Sequence, residues 1–263
     1  MTPTVLTIAG SDSGGGAGIQ ADLAAFRAFG VHGTSAITAI TAQNTLGISA
    51  IHEVPPAMLA AQIEAVLADF EVKAVKIGMV PGPDHVRIIA GTLAGTRLPV
   101  VLDPVLSAST GRTLGRGGTL EALREHLLPI VTCLTPNLPE AAALLALEEA
   151  VDEKAMRSQA SALLAFGPRA VLLKGGHGLL DEAVDMLATA QGTTRFAAPW
   201  VETTNLHGTG CALSAALAAG LALGHPLDRA VASAKSWLRG RLIAGASLHI
   251  GHGKGPALAP EAV

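Results

Sequence analysis

Val5-Leu6-Thr7-Ile8-Ala9 is a short apolar run, and it ends in Gly10-Ser11-Asp12-Ser13-Gly14-Gly15-Gly16-Ala17-Gly18. The run reads as a buried strand and the glycines as a turn. Ile19 to Phe29 then places apolar side chains at Ile19, Leu23, Ala24, Phe26 and Phe29, the spacing of one helix face. Strand, glycine turn and helix form the first half of a βαβ unit. Such units build open, mostly parallel sheets, and ligands collect at the C-terminal ends of their strands. The turn matches neither familiar glycine motif. No Gly-Lys-Ser or Gly-Lys-Thr follows, and no acidic residue caps a second strand about 20 residues on. Its glycines are expected to let the backbone approach a small ligand, with Asp12 and Asp22 flanking; a flexible turn is the plain alternative.

The same alternation continues outward. Ser35 to Ala42 reads as a strand ending in Gln43-Asn44-Thr45. An amide there offers a donor and an acceptor together, which suits a heterocycle with a ring nitrogen and an exocyclic amine; a turn-forming Gln-Asn pair is the alternative. Pro56–Asp69 is an amphipathic helix, Ala74–Met79 a strand, Asp84–Ala94 a helix and Pro99–Leu102 a buried strand. Asp103, held by Pro104, reads as a magnesium-shell or phosphate-facing carboxylate, or as a turn. Leu106–Gly118 is polar and glycine-rich, the composition of a flap. Thr119–Leu128 is a helix and Val131–Thr135 a strand containing Cys133, a core thiol.

Asn137 and Glu140 precede the helical run Ala141–Leu147 at the spacing of a capping box. Their functional reading is an amide and a carboxylate aimed at a metal-bound polyphosphate. Asp152–Phe166 is a helix and Ala170–Leu173 a strand that ends in Lys174-Gly175-Gly176-His177, where a lysine can meet phosphate charge; a solvated strand-end lysine is the commoner alternative. Glu182–Ala188 and Thr193–Trp200 read as antiparallel edge strands, with Trp200 either shielding a nucleotide pocket or, the favoured reading, packing. Leu227–Leu248 is a long helix, and 249–263 a glycine- and proline-rich tail.

The most informative turn is Asn205-Leu206-His207-Gly208-Thr209-Gly210-Cys211, which feeds an alanine- and leucine-rich helical segment. A glycine turn entering a helix aims free N–H groups and the positive end of the helix dipole at one point, which is an anion site. An ordinary capped helix start is the alternative. Cys211 falls in the first helical turn, where a thiolate is stabilised, so its pKa is expected to fall.

Composition bounds the rest. The 263 residues, 49% of them hydrophobic, carry a formal charge of −3. No basic block and only 3% aromatics argue against nucleic acid or an anionic membrane as partner. Mean hydropathy is +0.45, but the longest uncharged stretch is broken by His207 and glycines and does not read as a membrane span. Met1-Thr2-Pro3-Thr4 lacks the basic start of a signal peptide. Two distant cysteines suit a reducing compartment, and a cytoplasmic location is expected. No repeat or linker divides the chain, which reads as one domain, 1–263.

Taken together, residues 7–22, Thr-Ala-Gln-Asn-Thr (41–45), Lys-Ile-Gly-Met (76–79), Thr-Pro-Asn-Leu-Pro-Glu-Ala (135–141), Leu-Lys-Gly-Gly-His (173–177), His-Gly-Thr-Gly-Cys (207–211) and Ala-Lys-Ser-Trp (234–237) closely resemble the hydroxymethylpyrimidine/phosphomethylpyrimidine kinases of thiamine biosynthesis. These belong to the ribokinase-like superfamily. The resemblance covers essentially the whole chain. It implies a three-layer α/β/α sandwich with a mostly parallel sheet, and a homodimer. It implies that ATP, with Mg2+, phosphorylates 4-amino-5-hydroxymethyl-2-methylpyrimidine and then the monophosphate. By the same resemblance Gln43, Gly10, Asp22 and Met79 bind the pyrimidine. Asn137, Lys174, His207 and Gly208 bind nucleotide and phosphate, and Glu140, Asp103 and Asn137 organise the metal. Cys211, Lys174 and the turn Gly208, Thr209, Gly210 are catalytic. A fused thiamine-phosphate synthase is not expected, the chain ending soon after its last helical pattern.

Where sugar kinases of the superfamily carry an aspartate base, this chain has Cys211. The first acceptor is an alcohol and benefits from a base; the second is already anionic and needs none. An aspartate would repel that phosphate, whereas a thiol would not until ionised. Pyridoxal kinase, on the same fold, is the nearest alternative activity. A non-catalytic pyrimidine or ATP sensor is the alternative of another class.

Overall fold

The computed structural model describes residues 2–106, 115–176 and 182–258. Nine strands form one sheet: β1 (Thr4–Asp12), β2 (His32–Asn44), β3 (Gly47–Glu53), β4 (Val72–Ile77), β5 (Val100–Leu102), β6 (Cys133–Leu134), β7 (Ala170–Lys174), β8 (Glu182–Thr189) and β9 (Gly192–Pro199). Their order is β3-β2-β1-β4-β5-β6-β7-β8-β9. From β2 to β7 every pairing is parallel. The two edges are antiparallel.

The helices are α1 (Gly18–Ala28), α2 (Pro56–Asp69), α3 (Pro83–Leu93), α4 (Thr119–Ala122), α5 (Leu138–Leu145), α6 (Glu153–Leu163), α7 (Thr209–Ala222) and α8 (Leu227–Gly245). Among the described residues no helix is long and apolar enough to cross a membrane.

Period-two alternation divides the strands between two cores. Leu6, Ile8, Val75, Ile77, Val100, Leu102, Leu134, Val171 and Leu173 face one layer, where Leu59 and Ile63 of α2, Val86 and Ile89 of α3, Leu144 of α5 and Met156 of α6 close over them. Val5, Ala74, Val101, Cys133, Ala170 and Leu172 face the other, against Phe26 of α1, Leu213–Ala219 of α7 and Val231 of α8. This is the three-layer sandwich that the sequence motifs imply. Cys133 is fully buried, and burial pushes its thiol up to about 12, in keeping with a core residue.

The local differences from the sequence reading have identifiable causes. β3 is absent from that reading because it lies at the sheet edge and its burial does not alternate cleanly. The helix expected over 119–128 is α4 followed by a π turn (Leu123–Leu127) and a 3-10 turn (Leu128–Ile130), and Pro129, with no N–H to donate, keeps the last turn from continuing as α-helix. Of the strand expected over 131–135, only Cys133 and Leu134 pair. Most of the expected flap 106–118, and His177, lie outside the described residues.

Chain order sets the position of the site. After β1 the chain passes outward through β2 and β3, then returns to lay β4 against the other side of β1. Strand order therefore reverses between β1 and β4, the place where open sheets bind ligands.

Candidate active site

The C-terminal ends of six parallel strands open into a cleft of about 620 Å³ lined by Asp12, Gln43, Met79, Asp103, Asn137 and Lys174, which end or follow β1, β2, β4, β5, β6 and β7. Gly10, Glu140, His207, Gly208, Thr209, Gly210 and Cys211 line the same cleft. The sheet thus brings together residues more than 190 positions apart in the chain.

Asp12 organises the first glycine turn. Its Oδ1 accepts from Gly14 N at 2.8 Å, and its Oδ2 from Gly16 N and Ala17 N at 3.1 and 2.9 Å. Burial would raise this carboxyl; the His207 contact and the loop amides outweigh it and hold it below the usual carboxylate value. Gly18 lies at φ +58°, and a Cβ there would stand 2.2 Å from Gly10 O. Gly208 is at φ +82°, and a Cβ on it would meet Gly16 O at 1.9 Å. The two glycine turns thus touch backbone to backbone, which only glycine permits.

Gly208 caps α7, whose first turn contains Thr209, Gly210 and Cys211. Helix geometry leaves first-turn amides without intrahelical acceptors. Beside them, a Cβ on Gly210 would stand 3.1 Å from Lys174 Nζ and 3.4 Å from Asp103 Oδ2. Lys174 Nζ donates to Asp103 Oδ1 at 2.6 Å. Burial opposes its charge, but Asp103 and Glu140 outweigh burial and raise the ammonium pKa. Asn137 and Glu140 form the capping box of α5: Asn137 Oδ1 accepts from Glu140 N, and Glu140 Oε2 from Asn137 N, both at 2.8 Å. The box also holds both side chains at the cleft wall. Burial is the largest cause, with Asp103 adding to it, that pushes Glu140 up to about 7 against Lys174 and two backbone amides.

Two sequence expectations are corrected. Cys211 does begin α7, but its thiol is pushed up to about 11, not down. Desolvation dominates the helix terminus; Lys76 and the Gly18 amide pull the other way and do not prevail. Asp22, expected to line the pyrimidine pocket, is fully buried beneath the cleft. It accepts from Thr7 Oγ1 at 2.6 Å and from Lys76 Nζ at 2.8 and 2.9 Å. The imidazole of His207, grouped by resemblance with the phosphate binders, reaches Asp12 and Gln43.

Further side chains at or near the cleft stand outside the sequence-predicted site residues. Lys76, next to the C-terminal end of β4, is fully buried; the sequence contains it in the motif 76–79 but shows no partner for it. Trp200, read as packing, is partly exposed and lines the cleft with Leu238 and Arg239. Lys235 of α8 pairs with Asp185 of β8 at 2.6 Å on the same wall; only a helix and an edge strand meeting in space reveal that pair.

The phosphomethylpyrimidine kinase family model matches residues 12–258. This chain belongs to that family. The hydroxymethylpyrimidine/phosphomethylpyrimidine kinase of Rhizobium meliloti is 50% identical over 256 residues, 97% of this chain and 96% of the relative. Among solved structures, the phosphomethylpyrimidine kinase of Clostridium difficile superposes with a TM-score of 0.81 at 39% identity, covering 92% of this chain and 100% of that one. An ADP complex of Bacillus subtilis pyridoxal kinase superposes with a TM-score of 0.85 at 33% identity, covering 92% of each. As a phosphomethylpyrimidine kinase with the ribokinase-like fold, the chain has Lys174 and the Gly208–Cys211 turn where six strand ends and α7 meet.

Proposed function

We propose that this one cleft performs two successive phosphoryl transfers. ATP first phosphorylates the hydroxymethyl oxygen of 4-amino-5-hydroxymethyl-2-methylpyrimidine; a second ATP converts the monophosphate to the pyrophosphate for thiamine diphosphate biosynthesis. The observation that carries this reading is the position of Cys211. It lines the cleft together with Gly10, Gly18 and Met79, and its neighbour Gly210 stands against Lys174 Nζ. The acceptor pocket and the phosphate-facing group therefore meet at Cys211.

The chemistry asked of the protein is positioning and charge stabilisation. Gln43 presents its amide to the aminopyrimidine edge, and Gly10 and Met79 give the ring a close backbone and a soft side chain. Lys174 and the first-turn amides of α7 face the transferring phosphoryl oxygens. Cys211 is a neutral thiol at pH 7, given a value of about 11. It can bond to the hydroxymethyl group in the first transfer, and it puts no charge before the incoming phosphate in the second.

Mg2+ fits the oxygen donors here. Among the described residues no group of three His, Cys, Asp or Glu forms a closed metal cage; Mg2+ commonly takes one or two carboxylates and completes its shell with water and phosphate oxygens. Asp103 and Glu140 are both buried; Asp103 raises the cost of ionising Glu140, and Lys174 opposes it. The two carboxylates would hold the ion, Asn137 positioning Glu140. When bound, Mg2+ neutralises polyphosphate charge. A homodimer and a cytoplasmic setting belong to the same reading.

Incubation with ATP, Mg2+ and the pyrimidine should give the mono- and then the pyrophosphorylated product by mass spectrometry. Pyridoxal phosphate from a parallel tube, without pyrimidine products, would move the substrate to the alternative supported by the pyridoxal kinase likeness. No product from either tube would favour a sensor. Two variants test the assignments within the cleft. Gln43→Ala should raise KM for the pyrimidine about tenfold, the value of one or two neutral hydrogen bonds, with KM for ATP near wild type. A large change in ATP affinity would put Gln43 in the wrong pocket. Cys211→Ala should slow the first transfer more than the second, by up to about tenfold, the value of one hydrogen bond; equal slowing in single-turnover assays would remove its role at the hydroxymethyl group.

A further inference from the structure

His207 Nε2 stands 2.9 Å from Asp12 Oδ2 and 3.1 Å from the Gln43 amide nitrogen. A ring nitrogen is either a donor or an acceptor at a given moment. Asp12 is ionised and only accepts, so Nε2 must carry a proton. An –NH2 group facing that N–H would set two donors against each other. Amide oxygen and nitrogen are nearly isosteric, and the hydrogen-bond network decides between them. Turning the amide by 180° removes the conflict. Gln43 Oε1 then accepts from His207 Nε2. Gln43 Nε2 donates to Thr41 Oγ1, which stands 3.1 Å from that end of the amide and itself donates to Ser11 O at 3.0 Å. The one proton on Nε2 is then shared between Asp12 Oδ2 and Gln43 Oε1 as a three-centre bond, and from His207 the donation runs in one direction through Gln43 and Thr41 to Ser11.

The imidazole has little room to adopt another seat. It packs on Gly16 so closely that a Cβ there would stand 2.4 Å from His207 Cδ2. The histidine backbone is fixed as well, its N–H donating to Gly255 O at 3.0 Å and its carbonyl accepting from Ala257 N at 2.8 Å.

We propose that His207 is a positioning residue for substrate specificity: with Asp12 behind it, it holds the Gln43 amide in one orientation and so selects the ring edge the cleft accepts. This rests on the reading that the pyrimidine lies against Gln43. In that orientation the amide keeps one N–H on the Thr41 side and one oxygen lone pair on the His207 side for the ligand. The matching edge has a ring-nitrogen acceptor next to an exocyclic N–H donor, as in a 4-aminopyrimidine. A 4-oxopyrimidine presents the reverse, a ring N–H beside a carbonyl. It meets donor with donor and acceptor with acceptor unless the amide turns. His207 prevents that turn.

The test is steady-state kinetics on 4-amino-5-hydroxymethyl-2-methylpyrimidine and its 4-oxo analogue, with ATP saturating. His207→Leu should reduce the amino-over-oxo ratio of kcat/KM by about tenfold or more, the value of one hydrogen bond, with KM for ATP unchanged. His207→Gln, whose amide N–H can reach the place of Nε2, should recover most of the ratio. Loss of activity on both substrates in equal proportion, with the ratio kept, would show a merely structural histidine and overturn the proposal. If His207→Leu fails to melt cooperatively, His207→Asn serves instead. Its amide ends short of Gln43, so the ratio should fall in the same way, and an unchanged ratio overturns the proposal equally. Gln43→Ala run in parallel separates the two layers of the argument. A ratio unaffected by Gln43→Ala sinks the placement of the pyrimidine itself. A ratio abolished by Gln43→Ala but kept by His207→Leu sinks only the role of His207.

Discussion

Lys174→Met should lower kcat for both phosphoryl transfers by about 10²–10³-fold, the usual effect of deleting one preorganised charge from a transition-state site. The size follows from where the ammonium sits. It ends β7 beside the first turn of α7, 2.6 Å from Asp103 and in the field of Glu140. Methionine keeps the length of the side chain and removes only the charge. Two carboxylates then face each other with nothing between them, and Glu140, already pushed up to about 7, rises further. That has a signature in stability. A carboxyl raised on folding contributes stability that is complete below its usual value near 4.5 and is lost as pH climbs through about 7. The metal-free protein should therefore melt at lower temperature at pH 8 than at pH 5.5 on account of Glu140, and more steeply so in Lys174→Met. Single-turnover rates for each transfer, with thermal melts at the two pH values, check both statements. A variant within threefold of wild type in both transfers would mean that Lys174 only neutralises Asp103.

The parts of this site that could be read in the sequence are those where a strand ends in a chemically distinctive residue. Gln43, Asp103 and Lys174 each follow an apolar run, and a parallel sheet sends all such ends to the same side. The start of α7 at Gly208–Cys211 is legible because a glycine turn before an alanine-rich run marks a helix N-terminus. What could not be read depends on three-dimensional neighbours. Asp12 and His207 lie 195 positions apart, and neither sequence context names the other. The pKa of Cys211 was misjudged for the same reason. The helix terminus is visible in the sequence, but the desolvation that outweighs it comes from burial in the folded chain. Among the elements, β3 was lost because an edge strand need not alternate, while the central strands were found because each is apolar on both faces.

The chemistry of the cleft also explains why two loops distant in sequence are joined so tightly. Gly16 and Gly208 approach backbone to backbone, and Asp12 ties the amides of the first loop to the imidazole that precedes the second. A ring held against the first loop is thereby placed in register with a phosphate held by the second. Near-attack geometry is sensitive to displacements of about 1 Å, and direct contact between the loops leaves little freedom for such a displacement.

Lys76→Met should cost about 3–5 kcal/mol of stability, the effect of leaving a buried charge without its partner. Lys76 and Asp22 are both fully buried, with Nζ at 2.8 and 2.9 Å from the two carboxylate oxygens. Burial lifts the Asp22 carboxyl, with Lys76 and Thr7 pulling it back, while Asp22 raises the Lys76 ammonium. The bidentate geometry is that of a charged pair, and the raised ammonium agrees with it. For a chain of this size each kcal/mol shifts Tm by roughly 2–4 °C, so the single variant should melt roughly 6–20 °C lower. The double variant Lys76→Met, Asp22→Asn removes both charges and keeps an acceptor for Thr7 Oγ1, and it should recover most of the loss. A single variant melting within 2 °C of wild type, or a double variant no better than the single, would show that the pair is not charged. The pair's value to the enzyme lies elsewhere than in stability, since buried ion pairs seldom outperform apolar packing. Its ammonium is the strongest influence lowering the Cys211 thiol. The double variant also removes the Asp22 charge, which opposes that ammonium with the smaller effect, so it should regain its fold and have a thiol only slightly harder to ionise, which alkylation rates measured against pH would show as a small upward shift.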